Sequence, residues 1–200
     1  LLLDGKARSR EIQEDIARRV EMLLPKLGRR PKLAVVLVGD NTASMVYVAS
    51  KSKQAHACGM DTFDLKFPAE ISNEGLHHEL NRLSEDRGLD GILLQLPLPK
   101  GLDEFAALSC IQHGMDVDGL HPYNQGLLMR GAKALRPCTP LGVMDLVDWA
   151  RTKLGLAGKD NSLAGLEAVV VGRSILVGKP VASMLTERHC TVTVCHSRTR

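Results

Sequence analysis

A tyrosine and a lysine stand four positions apart in YVASK, Tyr47 and Lys51, shortly after the run VVLVGDNTASM. On a helix, positions i and i+4 share a face, so the two side chains point together, with Ser44 one turn before them. A phenol beside an amine can orient a flat substrate and move a proton; the same spacing also suits a solvated helix face, because lysines are usually exposed. Position raises the first reading, since this helix follows the carboxyl end of the strand VVLVG, where open α/β sheets bind ligands. Lys51 has candidate partners at the ends of later elements: Gln95 closing GILLQL, and Asp116 and Asp118 in MDVDGLHPYN. A desolvated lysine exchanges protons, whereas a neighbouring carboxylate would hold it as the ammonium. The neutral amide of Gln95 is therefore the better partner, which leaves Asp116 or Asp118 to hold a substrate.

A second constellation is VVVGRSILVGKP, in which a strand runs into Gly172, Arg173 and Ser174 occupy the turn, and Gly178 and Pro180 open a helix. Its glycine spacing matches G-x-G-x-x-G only in part. The working parts are present nonetheless: a tight turn after a strand, a helix N-terminus able to receive phosphate, and a proline early in the helix. A plain strand-to-helix connection has the same outline. The next strand, TVTVCHSRTR, favours the nucleotide reading, because it ends in Ser197, Arg198, Thr199 and Arg200 where NAD-binding folds often carry an acidic residue for the ribose hydroxyls. Hydroxyls and guanidinium groups suit a 2′-phosphate, so NADP is favoured over NAD. Tyr-x-x-x-Lys also occurs in short-chain dehydrogenases, but there the pair follows the nucleotide loop, and here it precedes it by well over a hundred residues.

These residues need elements to hold them. Ile12, Ile16, Val20, Leu23 and Leu27 recur at helical spacing and predict a long amphipathic helix. Strands are then predicted over 32–39, 61–67 and 91–96, alternating with helices over 42–58 and 71–85, before LPLPKG breaks regular structure at 96–101. A helix over 140–154, a loop over 155–165 and strands over 167–174 and 191–197 follow. This alternation predicts an α/β fold with parallel strands covered by helices. Residues 1–150 are expected to form a three-layer catalytic domain, and 151–200 the first part of a Rossmann-like nucleotide domain.

Composition narrows the classes. Two hundred residues, 24% charged and 44% hydrophobic, describe a globular chain, and the net charge of +3 is spread without the basic block that tracks a phosphate backbone, so no nucleic-acid partner is expected. Five cysteines, Cys58, Cys110, Cys138, Cys190 and Cys195, without C-x-x-C spacing predict reduced thiols in a cytoplasmic setting. No run approaches the roughly 18 apolar residues of a membrane span, and LLLDGKARSR lacks the order of a signal peptide. His77-His78 and Cys190 with Cys195-His196 lack the four-ligand spacing of structural zinc, so no metal is expected. Cys138 in PCTP has no base placed by sequence, and its prolines read as a backbone device.

Five ordered motifs, GDNTASMVYVASK, GILLQLPLP, DVDGLHPYNQG, RPCTPLGV and VVGRSILVGKPVASML, carry a resemblance over nearly the whole chain. Together they resemble the FolD-type bifunctional methylenetetrahydrofolate dehydrogenase/methenyltetrahydrofolate cyclohydrolase family of one-carbon metabolism. That resemblance implies NADP-dependent oxidation of 5,10-methylene-tetrahydrofolate, then hydrolysis of the methenyl product to 10-formyl-tetrahydrofolate in the same cleft. It implies Lys51 as the proton-handling group of the cyclohydrolase, Tyr47 against the pterin, Gln95 positioning Lys51, and Asp118 on the pterin's nitrogen edge. Leu96, Pro97 and Leu98 would line the pocket, and Gly172, Arg173, Ser174 and Ser197 would hold the cofactor. A cytoplasmic homodimer is also implied.

Two departures accompany it. Met115 stands where the family usually has lysine before DVDG, and the later T-P-V-P-G-G-V-G-P-M-T segment does not occur before Arg200, so the nucleotide domain is expected to be incomplete. A non-catalytic folate- or nucleotide-binding α/β module, or a dehydrogenase without cyclohydrolase activity, are the competing expectations; the presence of Lys51 argues against the latter.

Overall fold

The structure is a computed structural model that describes residues 2–156 and 161–200. Regular structure begins where the Asp4 carboxylate accepts from the amides of Lys6 and Ala7 at 3.0 and 3.3 Å and so starts α1 (Gly5–Leu27). Gly28 ends that helix in the left-handed conformation, its N–H on the Leu24 carbonyl. The apolar run KLAVVLV then forms β1 (Lys32–Val38), and Asn41 caps α2 (Thr42–Ala57) by accepting from the Ser44 amide. β2 (Asp61–Phe67), α3 (Asn73–Glu85), β3 (Gly91–Leu94) and a six-residue α4 (Glu104–Ser109) follow.

The three strands are parallel in the order β2-β1-β3, with Val36 aligned to Leu65 on one side and Leu94 on the other. β1 is thus central, which is why it reads as an unbroken apolar run. Side chains alternate across the sheet. Val35, Leu37 and Leu93 pack with Val48 of α2 on one face, while Ala34, Val36, Ile92 and Leu94 are buried facing the other way. α3 buries Leu76, Leu80 and Leu83 completely, at helical spacing. Beyond β3, Ile92 donates to the Met115 carbonyl at 2.7 Å, so the segment around Asp116 runs parallel beside the strand. At the opposite strand ends, Arg29 reaches Asp90 at 2.6 Å, and the Lys32 amide donates to the same carboxylate at 2.8 Å.

These elements make up one compact unit, Asp4–Val117, and a second consists chiefly of Asp118–Arg200. The second contains α5 (Pro122–Met129), α6 (Cys138–Lys153), β4 (Glu167–Val171), α7 (Gly178–Glu187) and β5 (Thr191–Cys195). β4 and β5 pair in parallel, from Glu167 opposite Thr191 to Val171 opposite Cys195. Their inward residues Ala168, Val170 and Val192 pack on a core of Leu128, Met144, Leu163, Val181, Met184, Leu185 and Cys190. Since Leu128 comes from α5 and Met144 from α6, the stretch 118–150, expected in the first domain, packs in the second unit instead. Ion pairs Arg136–Glu187 at 2.8 Å and Arg188–Asp148 at 2.5 Å fasten the same helices.

Other expectations differ at their edges. β3 stops at Leu94, although the Gln95 amide still donates to Val36 O at 2.8 Å, because Pro97 and Pro99 bring no N–H to continue the ladder. α4 and α5, six and eight residues long, are too short to show a helical period. Part of the loop expected over 155–165, residues 157–160, lies outside the described residues. All five cysteines are free, and among the described residues no helix is long and apolar enough to cross a membrane.

Candidate active site

In the first unit, α2 and the end of β3 bring together the residues singled out by their chemistry. Lys51 Nζ donates to Gln95 Oε1 at 3.2 Å, and Gln95 Nε2 donates to the Leu96 carbonyl at 2.6 Å. A backbone carbonyl can only accept, so the second bond fixes which end of the amide faces Lys51: the oxygen. Both side chains are half-buried. The lysine therefore has in the Gln95 amide oxygen a neutral acceptor that helps to hold its nitrogen in place.

Tyr47 lies one turn before Lys51 on α2 and is 62% exposed, so its ring face is open to a planar partner. The loop after Gln95 is held by Glu104, whose Oε1 accepts from the Leu98 amide at 3.0 Å. Leu96 and Leu98 are half-buried there, Pro97 is exposed, and the Leu96–Pro97 peptide is cis. α2 is fixed from beneath by Ser52, the neighbour of Lys51. Its buried hydroxyl lies 3.0 and 2.9 Å from the two carboxylate oxygens of Asp64 on β2. Adjacent residues of one helix thus reach to either side of the central strand, Ser52 to β2 and Lys51 to the residue after β3. That pairing sets the rotation of α2.

The two aspartates of DVDG separate by burial. Asp116 is 1% exposed and lies beside β3; Asp118, which opens the second unit, is half-buried and so retains access to solvent and ligand. Met115, in the place of the family's usual lysine, takes part through its backbone carbonyl, which serves Ile92 whatever the side chain.

In the second unit, the turns after β4 and β5 lie side by side, because Val171 and Cys195 are in register and the Gly172 amide donates to the Cys195 carbonyl at 2.8 Å. Gly172 has φ 130°, and a Cβ on Gly178 would sit 2.3 Å from the Gly172 carbonyl oxygen. Both positions exclude a side chain, so the turn folds back closely onto the start of α7. Ser174 Oγ accepts from the amides of Val177 and Gly178 at 3.1 and 3.4 Å, and its carbonyl accepts from Lys179 at 3.0 Å. Ser174 thus occupies the first amides of the helix start and shapes the turn, while its hydroxyl keeps a hydrogen to donate. Arg173 and Ser197 are exposed, and among the described residues neither side chain has a partner. A close-packed glycine turn flanked by free donors fits a dinucleotide phosphate.

Ser52, Asp64, Glu104, His196 and Thr199 support these groups and were not picked out in these roles from sequence. For Ser52 the signal was a polar residue on the buried face of a helix; for His196 and Thr199 it was a polar pair spanning a four-residue turn. Among the described residues no group of three or more His, Cys, Asp or Glu is placed to hold a metal ion.

Residues 3–118 match the family described as tetrahydrofolate dehydrogenase/cyclohydrolase, catalytic domain, and residues 137–200 match its NAD(P)-binding domain. The bifunctional protein FolD of Bradyrhizobium sp. (strain ORS 278) is 45% identical over 199 residues, covering 100% of this chain and 65% of that protein. FolD 2 of Frankia casuarinae is 46% identical over 200 residues, covering 100% of this chain and 66% of its own length. The chain therefore spans just under two thirds of these relatives. Among solved structures, the FolD methylenetetrahydrofolate dehydrogenase/cyclohydrolase from Campylobacter jejuni has a TM-score of 0.91 at 40% identity, over 100% of this chain and 68% of that one. The Trypanosoma brucei enzyme, solved with NADP cofactor and an inhibitor, has a TM-score of 0.88 at 37% identity, over 100% of this chain and 65% of that one.

Proposed function

Because the chain belongs to the tetrahydrofolate dehydrogenase/cyclohydrolase family, we propose that it oxidises 5,10-methylene-tetrahydrofolate with NADP and hydrolyses the methenyl product to 10-formyl-tetrahydrofolate. The observation that carries this reading is the chain of hydrogen bonds from Lys51 through Gln95 to the Leu96 carbonyl. It describes an amine held for proton transfer.

When bound, NADP supplies a hydride acceptor, and the nitrogens flanking the reacting carbon stabilise the cation left behind. The first step asks the protein chiefly for alignment. Tyr47 offers an open ring to the pterin, Asp118 a carboxylate to its N–H edge, and Leu96, Pro97 and Leu98 an apolar border. Gly172, Arg173, Ser174 and Ser197 hold the cofactor. The second step needs proton transfer: water adds to the methenyl carbon and gives up a proton, then the bond from that carbon to the ring nitrogen breaks as the nitrogen gains one. Lys51 receives the first proton and returns it to the nitrogen, and the adduct's remaining hydroxyl proton leaves to solvent as the formyl C=O forms, so that one proton is released in all. The Gln95 oxygen accepts from both the amine and the ammonium, so Lys51 keeps its position through the cycle.

The reading carries with it a homodimer in the cytoplasm, for which the family resemblance is the support; sedimentation of the purified protein measures the first. The activity itself is tested by supplying methylene-tetrahydrofolate with NADP or NAD and following NADPH or NADH formation, then the decay of added methenyl-tetrahydrofolate. NADP-dependent reduction together with protein-dependent decay is expected. Absence of both would leave only a binding module.

A further inference from the structure

The turn that follows β5 is built from its own side chains. The Thr199 amide donates to the His196 carbonyl at 2.8 Å, closing a four-residue turn. The His196 amide donates to Thr199 Oγ1 at 2.8 Å, and the Arg198 amide donates to His196 Nδ1 at 3.1 Å. Accepting at Nδ1 places the ring hydrogen of His196 on Nε2. The amides of residues 196, 198 and 199 are thereby all engaged within the turn. Among the described residues, the Ser197 amide and hydroxyl and the Arg198 guanidinium have no partner, and both residues are exposed. The Cys195 carbonyl, held by the Gly172 amide, pins the base of this turn beside the one that carries Arg173.

We propose that His196 and Thr199 are positioning residues that set preference for the 2′-phosphate: they hold the 196–199 turn so that Ser197 and Arg198 present donors to that group before it arrives. The proposal rests on the NADP reading above. Neither residue touches the ligand in this account. Each acts by keeping a donor-rich turn from opening, so that binding does not have to order it. A ring nitrogen at position 196 is not essential for this. Asparagine in the same place can accept from the amide two residues on, as in an Asx turn.

The test measures the affinities of NADP and of NAD for the protein and for His196→Ala, His196→Asn, Thr199→Val and Thr199→Ser. Losing one such hydrogen bond is expected to weaken NADP by roughly three- to tenfold, with NAD changed by less than about twofold, in the alanine and valine variants. His196→Asn and Thr199→Ser are expected to recover most of the loss, which a role in general packing would not produce. Equal weakening of NADP and NAD, no weakening at all, or an asparagine variant no better than alanine would each overturn the proposal. A wild-type protein with no preference for NADP would overturn the cofactor reading first, and the proposal with it.

Discussion

Gln95→Glu changes one atom type and leaves the shape of the side chain intact, so its effects can be worked from two distances. The wild-type Nε2 donates to Leu96 O at 2.6 Å. A glutamate oxygen in that place meets another acceptor with no hydrogen between them and is pushed off. The other carboxylate oxygen faces Lys51 Nζ from about the wild-type 3.2 Å. At that separation two unit charges attract by about 5 kcal/mol at an effective dielectric of 20. Solvent around two half-buried groups reduces this to on the order of 1–3 kcal/mol, a bias of roughly ten- to a hundredfold toward the ammonium. The hydrolytic step, which needs the free amine, is expected to slow by that factor at neutral pH, while hydride transfer, which needs alignment, slows less. Since the carboxylate favours the protonated lysine, the lost hydrolysis returns as pH is raised. Stopped-flow decay of methenyl-tetrahydrofolate across pH, beside NADPH formation, measures both. A variant that hydrolyses at the wild-type rate at neutral pH, or a loss that does not recover with alkali, would refute the reasoning.

Gly178→Ala places a methyl 2.3 Å from Gly172 O and 2.8 Å from the Arg173 amide nitrogen, backbone atoms that cannot swing away. It should cost about 1–3 kcal/mol of stability and weaken the cofactor; unchanged NADP affinity would show that the turn does not form the site. Ser52→Ala removes the bond to Asp64 beneath α2 and should lower stability by about 1 kcal/mol in urea titration; an unchanged midpoint would mean that the contact adds nothing. At the far strand ends, the Arg29 hydrogen bond, then the Lys32 amide, hold Asp90 below the ordinary carboxylate range despite partial burial. A lowered folded value means this contribution is present above the unfolded pKa of roughly 3.9 and is lost as pH falls through the folded value. Asp90→Asn should therefore destabilise at neutral pH, with the gap to wild type closing in acid. A gap constant from neutral to acid pH would contradict the linkage.

Much of this was legible before any coordinates. β1 announces its central place because seven consecutive apolar or amphipathic residues suit only a strand covered on both faces, and α3 declares its buried side through Leu76, Leu80 and Leu83. Lys51 and Gln95 could be paired because the helix that carries Lys51 follows the end of one strand and Gln95 closes another. The geometry supplied what a linear pattern does not carry. Which core a helix joins is decided by partners far along the chain, so α5 and α6 read as helices or loops without showing that Leu128 and Met144 belong with α7. Asp116 and Asp118 are chemically alike, and only burial distinguishes them. Ser174 reads as a ligand contact because a serine after a glycine turn suits that role; that its oxygen also accepts from the first amides of α7 is visible only in three dimensions.

The central claim is that Lys51 moves the proton of hydrolysis and is dispensable for hydride transfer. Lys51→Met keeps much of the side chain's length and apolar stem while removing its nitrogen. In one sample of this variant, methenyl-tetrahydrofolate hydrolysis is expected to fall by roughly 10²–10⁴, the range of general acid–base catalysis, while NADPH formation from methylene-tetrahydrofolate continues. Hydrolysis at the wild-type rate without the amine would contradict the account.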